Sequence, residues 1–149
     1  MKLFEQISAE INEALKAKDD VKVSTLRFLI SGLNNAKIAK GGELTDEEVV
    51  REIGKEAKRH KESISAFEAG GRSELVDKEK AELLILEKYL PAQLSEADLE
   101  KMVDEAITAS GASGIGDMGK VIGQVMGRAG ASADGTVVAQ IAKQKLGGT

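Results

Sequence analysis

The chain has one histidine, His60, and it is the only side chain whose ordinary pKa suits proton transfer near neutral pH. At helical spacing it falls on an apolar arc between Ala57 and Ile64, while Lys58, Arg59 and Lys61 point elsewhere. A general base needs a partner group and a cleft. Linear order supplies neither, so the preferred reading is a boundary histidine packed between helices. On the same segment Arg51, Lys55, Lys58 and Arg59 line a polar face suited to phosphate. Glu52, Glu56 and Glu62 lie three or four residues from members of that set and pair with them on a helix, which favours a solvated face.

A second constellation is made of glycine. Gly119, Gly123 and Gly127 recur every four residues and form one bare ridge if the segment is helical. Each costs a helix roughly 1 kcal/mol relative to Ala, so the ridge needs an offset. Either a neighbouring helix approaches it closely, or an outside backbone does, from RNA or from a protein. Gly114-Ile115-Gly116-Asp117-Met118-Gly119 also spells G-x-G-x-x-G. No strand is expected before it, and Asp117 reads as a helix cap whose charge opposes an anion. The acidic clusters Asp19-Asp20 and Asp46-Glu47-Glu48 lack the spacing of a metal loop and read as solvated helix ends. No metal, cofactor or catalytic residue is assigned.

The elements that position these residues are helices. Leu3, Phe4, Ile7, Ile11, Ala14 and Leu15 share one arc of a segment over about 2–18. Leu26, Leu29, Ile30, Leu33 and Ala36 do so over about 22–40, which stops at Gly41-Gly42. Thr45 and Glu48 form a capping box for a helix over about 46–69, ended by Gly70-Gly71. A fourth segment over about 74–90 starts at Ser73 and stops before Pro91. Its run Leu83-Leu84-Ile85-Leu86 exceeds one face and predicts contacts on two sides. Ser95 to Asp98 opens a fifth helix that stops at Gly111; a sixth begins at Asp117 and a seventh at Asp134. The expected fold is all-α: a four-helix N-terminal domain over 1–92 and a small three-helix C-terminal domain over 93–149.

Composition narrows the function. The 149 residues hold 21 Lys+Arg against 25 Asp+Glu, a net charge of −4, with 16 Gly, one Pro and no Cys. Without Cys there is no disulfide framework, thiolate nucleophile or Cys-ligated zinc. The longest stretch free of charge, Ala106 to Gly116, is far shorter than the roughly 20 residues of a membrane helix. Charges arrive early in Met1-Lys2-Leu3-Phe4-Glu5, leaving no apolar signal-peptide core. A soluble, cytoplasmic protein is expected, with no membrane or DNA partner, whose work is binding rather than self-contained catalysis. Charge is dense up to residue 89 and sparse after it, while glycine concentrates after residue 110. Both shifts favour two units.

Several stretches, in order along nearly the whole chain, carry a family resemblance. They are Thr25-Leu26-Arg27-Phe28-Leu29, Lys58-Arg59-His60-Lys61-Glu62-Ser63 and Gly70-Gly71-Arg72-Ser73-Glu74-Leu75. Tyr89 to Glu96, Asp117 to Val121 and Ala133-Asp134-Gly135 follow. Together they resemble the GatB/YqeY family, specifically its short stand-alone YqeY-like proteins. The resemblance implies a helical N-terminal domain and a small three-helix C-terminal one. It further implies kinship with the tail of the amidotransferase B subunit that helps hold tRNA, whose carbon–nitrogen ligase chemistry, with glutamine as amido donor, lies in other domains. A non-catalytic, tRNA-associated accessory protein is therefore expected. Lys120 and Arg128 would meet phosphate, and Gly119, Gly123 and Gly127 would allow close approach. Amidotransferase subunits or another protein are the other expected partners. The alternative is a helical protein–protein module with no RNA role. In the loop Gly127-Arg128-Ala129-Gly130-Ala131-Ser132, Arg128 is the only cation, so few phosphate contacts are expected there.

Overall fold

A computed structural model describes residues 2–147, so the outermost residues of both expected domains, Met1, Gly148 and Thr149, lie outside it. The described residues are all-α. Seven α-helices follow in order: α1 Leu3–Lys16, α2 Asp20–Lys40, α3 Asp46–Ala69, α4 Ser73–Glu87, α5 Glu96–Ser110, α6 Met118–Ala129 and α7 Gly135–Gly147. Short 3₁₀ turns, Ile115–Asp117 and Gly130–Ser132, flank α6. Contacts divide the chain into two compact units, Met1–Leu90 and Pro91–Thr149.

Local chemistry sets the helix ends. Asp19 accepts the Lys22 amide and caps α2. Thr45 and Glu48 exchange hydrogen bonds with each other's backbone amides at the start of α3, and Ser95 and Asp98 do the same at α5. Each box satisfies amide donors that the first helical turn leaves without partners. Gly41 and Gly111, at φ of +81° and +69°, take the left-handed conformation that ends α2 and α5. Asp117 departs from its expected role. It does not cap α6 but accepts the Ser113 amide at 3.1 Å, because the 3₁₀ turn aims its carboxylate back across the loop.

In the first unit, α3 packs on α4 and α1 on α2. Ile7, Leu26, Leu29, Leu33, Leu44, Val49, Ile53 and Leu86 make its core. Asp46 Oδ1 accepts the Leu3 amide at 3.0 Å, tying the start of α1 to the start of α3. The Tyr89 hydroxyl donates to the Glu10 carboxylate, tying the end of the unit to α1. α4 packs on both α3 and α2, and in the run at its end Leu83 and Leu86 are buried and Ile85 packs against the core, while Leu84 is 66% exposed.

The second unit closes around Leu99, Val103 and Ala106 of α5, Val121 and Val125 of α6, and Val138, Ile141 and Ala142 of α7. Its first residues are pinned before α5 begins. Gln93 Nε2 donates to the Ala131 carbonyl at 2.8 Å and the Leu94 amide to the Ser132 carbonyl at 2.8 Å.

Candidate functional site

Two features of the molecule have functional geometry, one in each unit. In the first unit a cavity of about 370 Å³ lies between α2, α3 and α4. Helical spacing builds its walls. α3 contributes Glu56, Arg59, His60 and Ser63, which recur over two turns of one face. α4 contributes Glu79, Glu82 and Leu86 at the same interval, and α2 contributes Ser24, Thr25, Phe28 and Leu29. Thr25 is buried, and its hydroxyl is satisfied by the Val21 carbonyl at 2.7 Å. Phe28, by contrast, is 65% exposed. Six of these residues belong to the stretches that carry the family resemblance: Thr25, Phe28 and Leu29, and Arg59, His60 and Ser63.

His60 is indeed packed between helices, but with partners that linear order does not reveal. Its Nδ1 donates to Glu79 Oε2 at 2.5 Å and lies 3.6 Å from Glu82 Oε2. All three side chains are largely buried, and their ligand-type atoms lie within 4.8 Å of one another. A histidine nitrogen and two carboxylates in that arrangement are able to move a proton or to hold a cation. No metal was assigned from the sequence, since neither acidic cluster had metal-loop spacing. The structure assembles its candidate ligands from elsewhere, across two helices and 19 residues. A signal was present on α4: Glu79 interrupts the apolar row formed by Val76, Leu83 and Leu86, all buried. An acid in a core-facing row is uncommon without a partner.

The cations expected on the polar face of α3 are partly neutralised. Lys55 meets Glu52 at 3.1 Å and Arg59 meets Glu56 at 2.5 Å. The acidic residues at the helix starts are used as caps and tethers. Lys40 donates to Glu48 at 2.6 Å; with the Thr45 amide, it holds the Glu48 carboxyl below its ordinary value of 4.5. Lys37 lowers Glu43 in the same way and also lies 3.6 Å above the centroid of the Phe4 ring.

In the second unit, α6 carries the residues expected to meet tRNA. Gly119, Gly123 and Gly127 are exposed, and a methyl group built on any of them would meet nothing within 4 Å. Close packing of a neighbouring helix is therefore not what the ridge serves among the described residues. Lys120, Gln124 and Arg128 form the adjoining exposed row, also at four-residue spacing. Arg128 meets Glu105 of α5 at 3.0 Å, with both side chains substantially exposed. The G-x-G-x-x-G letters fall on the 3₁₀ turn and the first turn of α6, with no strand before them. They form no dinucleotide-binding loop.

Comparison with known proteins finds relatives of this chain. Altered inheritance of mitochondria protein 41, mitochondrial, of Lachancea thermotolerans is 34% identical over 106 residues, covering 68% of this chain and 56% of the relative. The protein of the same name from Saccharomyces cerevisiae is 33% identical over 107 residues, covering 69% and 57%. That from Eremothecium gossypii is 31% identical over 101 residues, covering 67% and 55%. The chain thus spans a little over half the length of the curated relatives it matches. These relatives are mitochondrial by name, which overturns the expectation of a cytoplasmic protein. That expectation rested on missing cysteine and missing apolar segments, and neither separates one reducing aqueous compartment from another. Among the described residues no helix is long and apolar enough to cross a membrane. The Yqey-like protein family matches residues 4–146, and with that extent of agreement the chain belongs to this family.

Proposed function

We propose that this chain is a non-catalytic, tRNA-associated accessory protein that lays the outward face of α6 against the nucleic-acid backbone. The observation that carries the reading is the two-row surface of that helix. One row is bare glycine; the next holds Lys120, Gln124 and Arg128, all hydrogen-bond donors. No acidic residue occurs within α6, although the chain as a whole is acidic. A bare row lets a phosphate backbone approach, and the donor row meets it. The exposed Arg128–Glu105 pair is a weak obstacle, since such pairs are worth about 0–1 kcal/mol. Resemblance of the C-terminal stretch to the tRNA-holding amidotransferase tail supports the same reading. Amidotransferase subunits are then natural neighbours, and ligase chemistry would reside in them. Domains at 1–92, with four helices, and 93–149, with three, belong to this proposal, the latter carrying the tRNA contact.

The test is titration of labelled tRNA at low and moderate salt with the wild type, Lys120→Ala and Arg128→Ala. Binding at low salt that weakens in both variants supports the proposal. Absence of binding at low salt overturns it.

A second reading, a protein–protein module without an RNA role, is favoured by apolar side chains left open in the first unit. Phe28, Ile38 and Leu84 are 65%, 78% and 66% exposed. It predicts a stable protein partner that is lost on polar substitution of Phe28 or Ile38 while the fold persists.

A further inference from the structure

We propose that His60, Glu79 and Glu82 form a binding site for a divalent transition-metal ion of the zinc class, within the cavity of the first unit. Charge balance is the first argument. Among the described residues, neither Glu79 nor Glu82 meets a Lys or Arg at salt-bridge distance; the one nitrogen near both is His60 Nδ1. Two carboxylates one turn apart on one helix face repel each other. Their side chains are only 20% and 16% exposed, so water screens that repulsion poorly. A single imidazole offsets at most one of the two charges. Glu56, the third carboxylate of the cavity, is already engaged by Arg59.

Geometry is the second argument. Bonds of about 2.0–2.2 Å from zinc to nitrogen and oxygen place neighbouring ligand atoms roughly 3–3.5 Å apart. The two distances from His60 Nδ1, 2.5 and 3.6 Å, bracket that spacing. Small side-chain rotations admit the ion between the three groups. The ion replaces the Nδ1–H···Oε2 hydrogen bond, and the imidazole then carries its proton on Nε2. Mixed nitrogen and oxygen donors select a zinc-type ion over calcium or magnesium, which prefer all-oxygen shells. Three protein ligands leave the cavity side of the ion to water, the arrangement of an open rather than a closed zinc site.

The sole histidine makes the test direct. In the full chain, Zn²⁺ is titrated by calorimetry and the imidazole nitrogens of His60 are followed by NMR. One ion per chain is expected, with a large shift of the imidazole resonances. His60→Gln, Glu79→Gln and Glu82→Gln each weaken binding by about 100-fold or more, beyond the usual cost of losing an outer-shell partner. Glu47→Gln, on the exposed acidic turn of α3, leaves binding unchanged. Far-UV circular dichroism without metal checks that the variants fold. If one does not, the imidazole shift and the visible spectrum of Co²⁺ with the wild type decide. Absence of the imidazole shift overturns the proposal, as does binding retained in the Gln variants.

Discussion

At the scale of single residues, the consequential side chains are those whose partners lie far away in sequence. Tyr89 and Glu10 are 79 positions apart, yet the phenol donates to the carboxylate. Burial first, and then that hydrogen bond, push the phenol above its ordinary value of 10. The hydroxyl therefore stays protonated, and stays a donor, well into the alkaline range. Tyr89→Phe keeps the ring and removes the donor. A loss of about 1–2 kcal/mol is expected in urea unfolding at neutral pH; unchanged stability would show that the bond contributes nothing net. His60 is the parallel case in the cavity. Its neighbours on α3 show no partner for it, because the groups that face it, Glu79 and Glu82, stand on α4.

At the scale of elements, the helix ends and the face of α6 give separable predictions. Thr45→Ala removes one half of the α3 capping box and should cost about 1 kcal/mol. Glu48 supplies the other half, and Lys40 and the Thr45 amide depress its pKa in the folded state. A depressed carboxyl contributes stability that is complete above its unfolded value and is lost as pH falls through its folded one. Stability should therefore decline below about pH 4.5, and Glu48→Gln should flatten that decline in acid titrations followed by circular dichroism. On α6 the glycines carry a cost that nothing nearby offsets. Gly123→Ala places its methyl in open space and should stabilise the helix by about 0.5–1 kcal/mol in thermal melts. Destabilisation would mean that another surface covers the ridge. If the tRNA proposal holds, the same added methyl weakens binding while raising stability, and so separates function from folding.

At the scale of the whole molecule, a net charge of −4 governs how the chain meets a polyanion. That charge supplies no long-range attraction to tRNA, so the proposed binding would have to rest on a local patch. With Lys120 and Arg128 as its two cations, the log of the binding constant should fall with the log of salt at a slope of about −2. A slope several times steeper would move the contact to other basic residues. Each of the two units has a core of its own, the first richer in Leu and Ile and the second in Val and Ala. Smaller core side chains and a shorter chain lead us to expect the second unit to be the more marginal of the two.

Helix positions, the capping boxes at Thr45 and Ser95, and the stops at Gly41 and Gly111 were all determined by the sequence alone. Each depends on residues within four positions of one another, so local spacing carries the whole signal. The pairing of Lys55 and Arg59 with acids one turn away belongs to the same class. Tertiary structure decided everything that required two helices. It opened the glycine ridge to solvent and left Leu84 uncovered. Above all, it set Glu79 and Glu82 against His60. Those groups come together because α3 and α4 pack face to face, and the angle and register of that packing are properties of the shared core, not of either helix by itself.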